Sequence, residues 1–509
     1  MPNDNPSTDQ PNVLLIMSDQ HNAQFMGCAG DQLSPTPHLD QLAASGIRMS
    51  NAHCPYPLCG PSRMAFMTSR QPHDTGCLSN LCQLRSDEPT FAHAFGRAGY
   101  QTVIAGRMHF IGHDQLHGFH ERIISDGSHS AYIHSRKRCN NLALGPMMSH
   151  GRGMGPSVLR ISGPGEQAYQ AYDEAVTDTT CRWLQERDTD ATKPFMLTVG
   201  TVMPHCPFVA LPEDFYHFYD QISVDDLPDP NLDILPPAMR ELRKSWGLDK
   251  DPVSRETQRV VRAAYYGMVR HMDRLIGKML QTLHDTGLDR NTIVVYVSDH
   301  GEQLGEHGLW WKSSFYQSSV GVPLIISKPG QLDQGKVISQ NVCLTDIGPT
   351  LLDLVGAQPL AAATGRSFRT LLETGSDSQW PDVVYSQIAA EVPGPARMVR
   401  SGPWKLMCYD GHEPLLFNLD DDPCELINRA DDSTCAQTLK QLMDLVRADG
   451  WDPQRIKQLS AIRHEGSQLY KQWSFATDPP EPYPSWFGNR VPTNRLDVIP
   501  GSSHRPPSV

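Results

Sequence analysis

Four short apolar runs, each ending in polar or charged residues, constrain the fold of this chain more than any other feature of its sequence. Pro11 to Ser18 runs into Asp19, and Tyr100 to Ala105 into Gly106-Arg107-Met108-His109. Residues 194–202 run into Met203-Pro204-His205, and Thr292 to Val297 into Ser298-Asp299-His300-Gly301. Continuous apolar runs of this length mark strands buried on both faces, the habit of parallel sheets. Between them lie segments with helical spacing. One is 36–46, with Thr36 as N-cap, Pro37 in the first turn and Gly46 past the end; others are 87–99 and 256–286. The alternation predicts an α/β fold with a mixed, largely parallel sheet sandwiched by helices. In such sheets ligands bind beyond the carboxyl ends of the strands. Asp19, His109, His205 and Asp299 are therefore expected to converge on one cleft.

A chain of 509 residues exceeds one ordinary core. The texture changes after about residue 375, where short strand-like runs alternate with turn residues and a helical segment follows near 435–449. We divide the chain into a catalytic domain at 11–375, a small antiparallel α+β subdomain at 376–460, and a C-terminal arm at 461–509. The arm ends in a segment rich in Pro, Ser and aromatics. It is too polar for a core and too apolar for free solvation, so it is expected to dock on a neighbouring subunit of a homo-oligomer.

The formal charge of −13 argues against nucleic acid as a partner and requires any anion site to be locally positive. No run approaches the length of a membrane span. The first residues carry Asp4 and Asp9 and lack the basic and apolar regions of a secretory signal, so a cytoplasmic location is expected. Twelve cysteines are too sparse for a disulfide scaffold and show no paired C-x-x-C spacing.

One cysteine stands out. Cys59-Gly60-Pro61-Ser62-Arg63 follows a Pro-rich loop and precedes an expected helix, residues 64–70. A nucleophile near a helix N-terminus suits anionic chemistry, because free backbone N–H groups and the helix dipole favour negative charge there.

Together with Thr68-Ser69-Arg70, this motif resembles the formylglycine-dependent sulfatases of the alkaline phosphatase superfamily. Residues 16–20 (IMSDQ), 106–109 (GRMH), 204–208 (PHCPF) and 298–312 (SDHGEQLGEHGLWWK) agree in the family's order. Residues 106–119 and the segment from Leu309 are similar to choline sulfatases and related aryl and alkyl sulfatases. The resemblance implies hydrolysis of sulfate monoesters to alcohol and inorganic sulfate. It also implies that Cys59 is oxidised to formylglycine by a formylglycine-generating enzyme, and that one divalent metal is held by Asp19, Gln20, Asp299, His300 and the side chain at 59. In the family the aldehyde hydrates to a diol; one oxygen attacks sulfur, and the other is deprotonated as sulfate is expelled.

Three positions depart from the family's usual pattern. Gln20 stands where a second acidic residue is common, His300 where Asn is frequent, and Arg107 where Lys is usual. An imidazole among carboxylates leaves calcium and manganese both open. Arg63, Arg107 and Lys312 are the implied sulfate clamps, His109 the base of the release step, and His205 the acid for the leaving group. Trp310 and Trp311 are candidate walls of the leaving-group pocket, with a cation-binding aromatic box as one form. His113, His117 and His120 are expected to be hydrogen-bonding loop residues, since Gly112 and Gly118 interrupt any helix there. A phosphonate monoester or phosphodiester hydrolase of the same superfamily is the alternative, disfavoured by His109. A non-catalytic metal-binding scaffold is the more distant one.

Overall fold

The computed structural model describes residues 10–33, 36–126, 154–187, 193–228, 232–330, 332, 334–389, 391–477 and 495–496. Its centre is an eight-stranded sheet. In chain order the strands are β1 (Asn12–Ser18), β2 (Ile47–Met49), β3 (Gln101–Gly106), β4 (Glu121–Ile124), β5 (Phe195–Gly200), β6 (Thr292–Ser298), β7 (Leu324–Ser327) and β8 (Lys336–Ile338). They lie side by side in the order β8-β2-β7-β6-β1-β5-β3-β4. Every neighbouring pair is parallel except those made by β7, which runs against β6 and β2. The mixed, largely parallel sheet expected from the apolar runs is therefore present. The four runs with polar tips form its middle, β6-β1-β5-β3, so their carboxyl ends share one edge.

Helices cover both faces. The longest, Arg255–Asp285, begins at Ser254, whose hydroxyl accepts from Thr257 N. Its apolar residues at 260, 261, 264, 268, 272, 276 and 279 recur at three- and four-residue spacing and are buried. The helix α1 (Cys59–Thr68) is different: every one of its residues is buried, and it runs through the interior beneath the sheet edge. It begins at Cys59, five residues earlier than the sequence suggests. Pro61 falls in the first turn, where its missing N–H is not needed.

Where β3 and β5 end, Gly106 faces Gly200, and Arg107 N donates to Gly200 O at 2.8 Å. A Cβ on Gly200 would lie 1.7 Å from Arg107 O. Gly200→Ala is therefore expected to displace the Arg107 peptide, costing about 1–3 kcal/mol from overpacking. Thermal unfolding together with kcat would check this; an alanine variant with unchanged midpoint and rate would contradict it.

The small antiparallel sheet is also present, with strands Val383–Ile388, Ala396–Ser401, Trp404–Tyr409 and Leu415–Asn418 and the helix Ala436–Arg447. Its core of Val399, Leu406, Leu416, Leu442 and Val446 includes Tyr56 and Leu58 from the large domain. Gln387 N donates to Pro55 O at 3.0 Å, and Ala389 N to the Tyr56 hydroxyl at 2.8 Å. The C-terminal sheet thus clamps the loop that delivers Cys59. The boundary drawn at 460 falls inside a continuous helix, Pro453–Thr477, which the sequence reading missed because Gly466 interrupts its pattern. Of the residues beyond this helix only Arg495–Leu496 is described, and it pairs with Glu166 and Gly165 of the same chain. The rest of the expected intersubunit arm lies outside the described residues. Among the described residues no helix is long and apolar enough to cross a membrane.

Candidate active site

At the shared sheet edge the chain turns sharply after each strand and leaves side chains pointing into one buried pocket. Gln20 and His109 take left-handed backbone conformations, with φ of 69° and 63°. Such residues cost about 1–3 kcal/mol each and persist only where the surroundings over-determine them.

Asp19, Cys59, Asp299 and His300 meet here, all buried, with their ligand atoms within 4.8 Å of one another. The Cys59 sulfur lies 3.5 Å from Asp19 Oδ1 and 3.2 Å from His300 Nε2. His300 Nε2 is 3.7 Å from both Asp19 Oδ1 and Asp299 Oδ1. Two carboxylates and an imidazole converging within 4.8 Å suit a divalent metal. Four of the ligands inferred from the sequence are therefore together. The fifth, Gln20, has its side chain engaged elsewhere: Oε1 accepts from Lys312 Nζ at 2.6 Å and Nε2 donates to Glu302 at 2.5 Å.

Cations enclose this group. Arg63 donates from Nε to Asp299 Oδ2 at 2.7 Å, from Nη2 to Asp19 Oδ2 at 3.2 Å, and from Nη1 to Arg107 O at 2.8 Å. Its guanidinium bridges the two carboxylates and so fixes the donor set. Arg107 Nε donates to Asp19 Oδ2 at 2.6 Å, and its Nη2 lies 3.3 Å from His109 Nδ1. Burial would raise the Asp19 carboxyl, but Arg107, His205, Arg63 and Lys312 together hold it well below the usual range.

Lys312 Nζ is 3.3 Å from the Cys59 sulfur and 2.9 Å from His205 Nε2. Burial opposes its charge, yet Cys59 and Asp19 keep its pKa above the ordinary lysine value. Burial and then Lys312 push His205 down, so this pair carries its charge on lysine. Burial and Arg107 likewise push His109 well below the histidine range. Its Nε2 contacts Asn80 O at 3.3 Å, and the Asn80 side chain accepts from Gly60 N in the first turn of α1 at 2.8 Å.

Trp310 and Trp311 directly precede Lys312 in sequence and are as buried as the site itself. They are 1% and 0% exposed; Trp310 packs over Gly305, and Trp311 meets Trp246 edge to face. Each indole thus has one face or edge in packing contact. Tyr316 stacks on His307, with ring centroids 3.7 Å apart. The loop histidines behave as expected in part: His120 Nδ1 meets the Thr102 hydroxyl at 2.7 Å, and His117 lies 3.4 Å from Asp114.

Glu302, which the sequence reading quoted but gave no role, ties the site together. It accepts from the backbone N–H groups of Leu304 and Trp311 and from Gln20, bracing the turn that presents Lys312. Its signal was a carboxylate three residues after Asp299 on a buried turn.

Comparison with known proteins agrees with this arrangement. Residues 11–357 match the Sulfatase family model, and residues 305–449 match the model described as N-sulphoglucosamine sulphohydrolase, C-terminal. The chain is 32% identical over 468 residues to a choline-sulfatase of Rhizobium meliloti, covering 88% of each protein. It is 30% identical to an arylsulfatase of Clostridium perfringens, covering 82% of this chain and 90% of that one. Among solved structures, a phosphonate monoester hydrolase of Agrobacterium radiobacter superposes with a TM-score of 0.70 at 24% identity, over 86% of this chain and 95% of that one. At that identity the likeness concerns the fold.

Proposed function

This chain belongs to the sulfatase family and hydrolyses sulfate monoesters, and from that premise we propose that Cys59 is the site of its nucleophile and that Asp19, Asp299 and His300 hold its metal. The observation that carries the proposal is the position of Cys59. It sits in the first turn of a buried helix, between three metal-type donors on one side and Lys312 on the other. Oxidised to formylglycine and hydrated, position 59 would supply an oxygen nucleophile for sulfur and a second hydroxyl for the release of sulfate. A bound divalent cation, calcium or manganese, would supply Lewis acidity and positive charge.

That charge is needed. Within the site the carboxyl groups of Asp19, Asp299, Glu302 and Asp126 outnumber the cations Arg63, Arg107 and Lys312, so the side chains alone leave no positive excess. An anion entering against a global charge of −13 requires the excess that the metal brings. Arg63 holds the two ligand carboxylates in place. Arg107 orients Asp19 and stands beside His109. The hydrogen-bonded pair of Lys312 and His205 delivers a proton to the departing oxygen, with Lys312 as the charged member. His109, kept neutral, takes a proton in the release step.

Lys312→Ala is expected to lower kcat/KM by about 10²–10⁴-fold for alkyl sulfates and much less for activated aryl sulfates, because leaving-group protonation matters most when the leaving group is poor. Equal losses across a leaving-group series would remove Lys312 from this role. The downward shifts of His109 and His205 place the acid limb of the pH–rate profile below the ordinary histidine value of 6.5, since the neutral imidazole persists to lower pH. An acid limb at or above neutrality would contradict the assignment.

The likeness to choline and aryl sulfatases supports a small organic sulfate as substrate. A panel of alkyl, aryl and carbohydrate sulfates beside phosphonate monoesters and phosphodiesters, compared by kcat/KM, tests the reading. Sulfates should lead; preference for a phosphorus ester would overturn it. The reading further includes maturation by a formylglycine-generating enzyme and a homo-oligomeric state.

A further inference from the structure

Two buried carboxylates that belong to none of the sequence motifs, Asp126 and Asp173, hold the loops that carry the two histidines. Asp126 follows β4, and its Oδ2 accepts from Met108 N at 3.0 Å and His109 N at 2.6 Å. Asp173 lies on the helix Ala168–Glu186 and is fully buried. Its Oδ1 accepts from Val202 N at 2.8 Å, and its Oδ2 from Met203 N at 2.8 Å and Val202 N at 3.1 Å. Val202 O in turn accepts from His205 N at 3.0 Å, closing the turn. One helical turn before Asp173, Tyr169 meets the His205 ring edge to face, with centroids 6.2 Å apart.

The physical need is the same in both places. Where a parallel strand stops, the next backbone N–H groups lose their ladder partners. Leaving one buried and unpaired costs about 1–3 kcal/mol. A carboxylate that accepts two adjacent N–H groups satisfies them through charge-assisted bonds and fixes the peptide plane. At His109 that plane belongs to a left-handed residue, which requires such a constraint. The two clamps grip different loops: Asp126 accepts from Met108 N and His109 N, and Asp173 from Val202 N and Met203 N in the turn leading to His205.

We propose that Asp126 is the positioning residue of His109 and Asp173 that of His205, so that the two carboxylates serve different half-reactions of one catalytic cycle. The inference rests on the roles assigned above to the two histidines. The first half-reaction breaks the S–O bond of the ester and delivers a proton to the departing oxygen. The second breaks the bond between sulfate and residue 59 while a proton leaves the remaining hydroxyl. Displacing His205 slows the first according to leaving-group quality. Displacing His109 slows the second regardless of leaving group and leaves sulfate on the enzyme.

The test uses the full-length, matured enzyme with Asp126→Ala, which removes the single oxygen that accepts from both Met108 N and His109 N, and Asp173→Asn, which turns one of two accepting oxygens into a donor facing an N–H. His109→Ala and His205→Ala run beside them. Intact mass is recorded during turnover, and kcat/KM is measured for one alkyl and one nitrophenyl sulfate. Asp126→Ala should accumulate enzyme about 80 Da heavier than the hydrated diol form, the mass of SO₃, or about 98 Da heavier than the aldehyde, and slow turnover of both esters alike. Asp173→Asn should show no such mass and lose about tenfold or more on the alkyl ester while the nitrophenyl ester changes about threefold or less. Should either variant fail to fold, Asp→Ser at that position, which keeps an acceptor without the charge, is read in its place. Uniform losses tracking the folded fraction, or no loss at all, would overturn the inference and leave both carboxylates as amide caps. If His109→Ala fails to accumulate the heavier enzyme, or His205→Ala shows no leaving-group dependence, the roles of the histidines are wrong and the inference falls with them. Histidine variants that behave as assigned beside aspartate variants that do not would overturn the inference alone.

Discussion

Cys59→Ser is expected to fold, to transfer at most one sulfate per active site, and then to stop, with turnover lower by about 10⁴-fold or more. The side chain at 59 is almost fully buried at the start of α1, between the donor set and Lys312. Serine nearly matches cysteine in volume, so packing is preserved. What changes is the chemistry. A serine oxygen in the same place can attack sulfur once, but it offers no second hydroxyl from which sulfate can be expelled. The stalled protein should carry the sulfate as a stable mass increment, or remain unreacted. Cys59→Ala removes the nucleophile altogether and should abolish turnover without any increment. A serine variant with sustained turnover near the wild-type rate would show that release does not need the second hydroxyl.

The second large effect concerns Asp299→Ala. Asp299 accepts from Arg63 Nε, from Gln20 N at 3.1 Å and from His300 N at 2.9 Å, and it contributes one of the converging ligand atoms. Its removal leaves the fully buried Arg63 with one carboxylate fewer. Breaking such a buried pair from one side costs about 3–5 kcal/mol. The variant should therefore lose metal, activity and thermal stability together, with elemental analysis falling from about one divalent ion per chain to near none. Asp299→Asn separates these effects, since the amide retains an accepting oxygen while weakening the ligand set. A fully active, metal-replete Asp299→Ala protein would remove position 299 from the metal site.

Much of this was legible in the sequence because its determinants are local. Buried parallel strands must be apolar throughout, so the residue at which an apolar run breaks marks the strand tip; Asp19, His109, His205 and Asp299 were found that way. The start of α1 was less legible, because Pro61 reads as loop until its place in the first helical turn is known. The packing partners of Trp310 and Trp311 were not legible, since neighbouring positions on an irregular turn give no indication of which side faces the core. Asp126 and Asp173 had no motif, and Glu302 had no role within one, because each contacts backbone N–H groups distant in sequence or around a turn. Asp173 did leave a trace: it shares the buried face of its helix with Tyr169, Tyr172 and Val176, where a charge is out of place. The helix through 477 was hidden by Gly466, and the tail's pairing with residues 165–166 is a non-local contact that no period announces.

The most direct test of the account is the mass of the tryptic peptide spanning residues 49–63, taken from active enzyme co-produced with a formylglycine-generating enzyme. The peptide contains Cys54 as well as Cys59, so fragmentation places any change at one or the other. The account predicts a peptide about 18 Da lighter than the unmodified sequence, with the loss at position 59 as CH₂SH becomes CHO, and a light fraction that scales with specific activity. A fully active preparation in which residue 59 is entirely unmodified cysteine would contradict it.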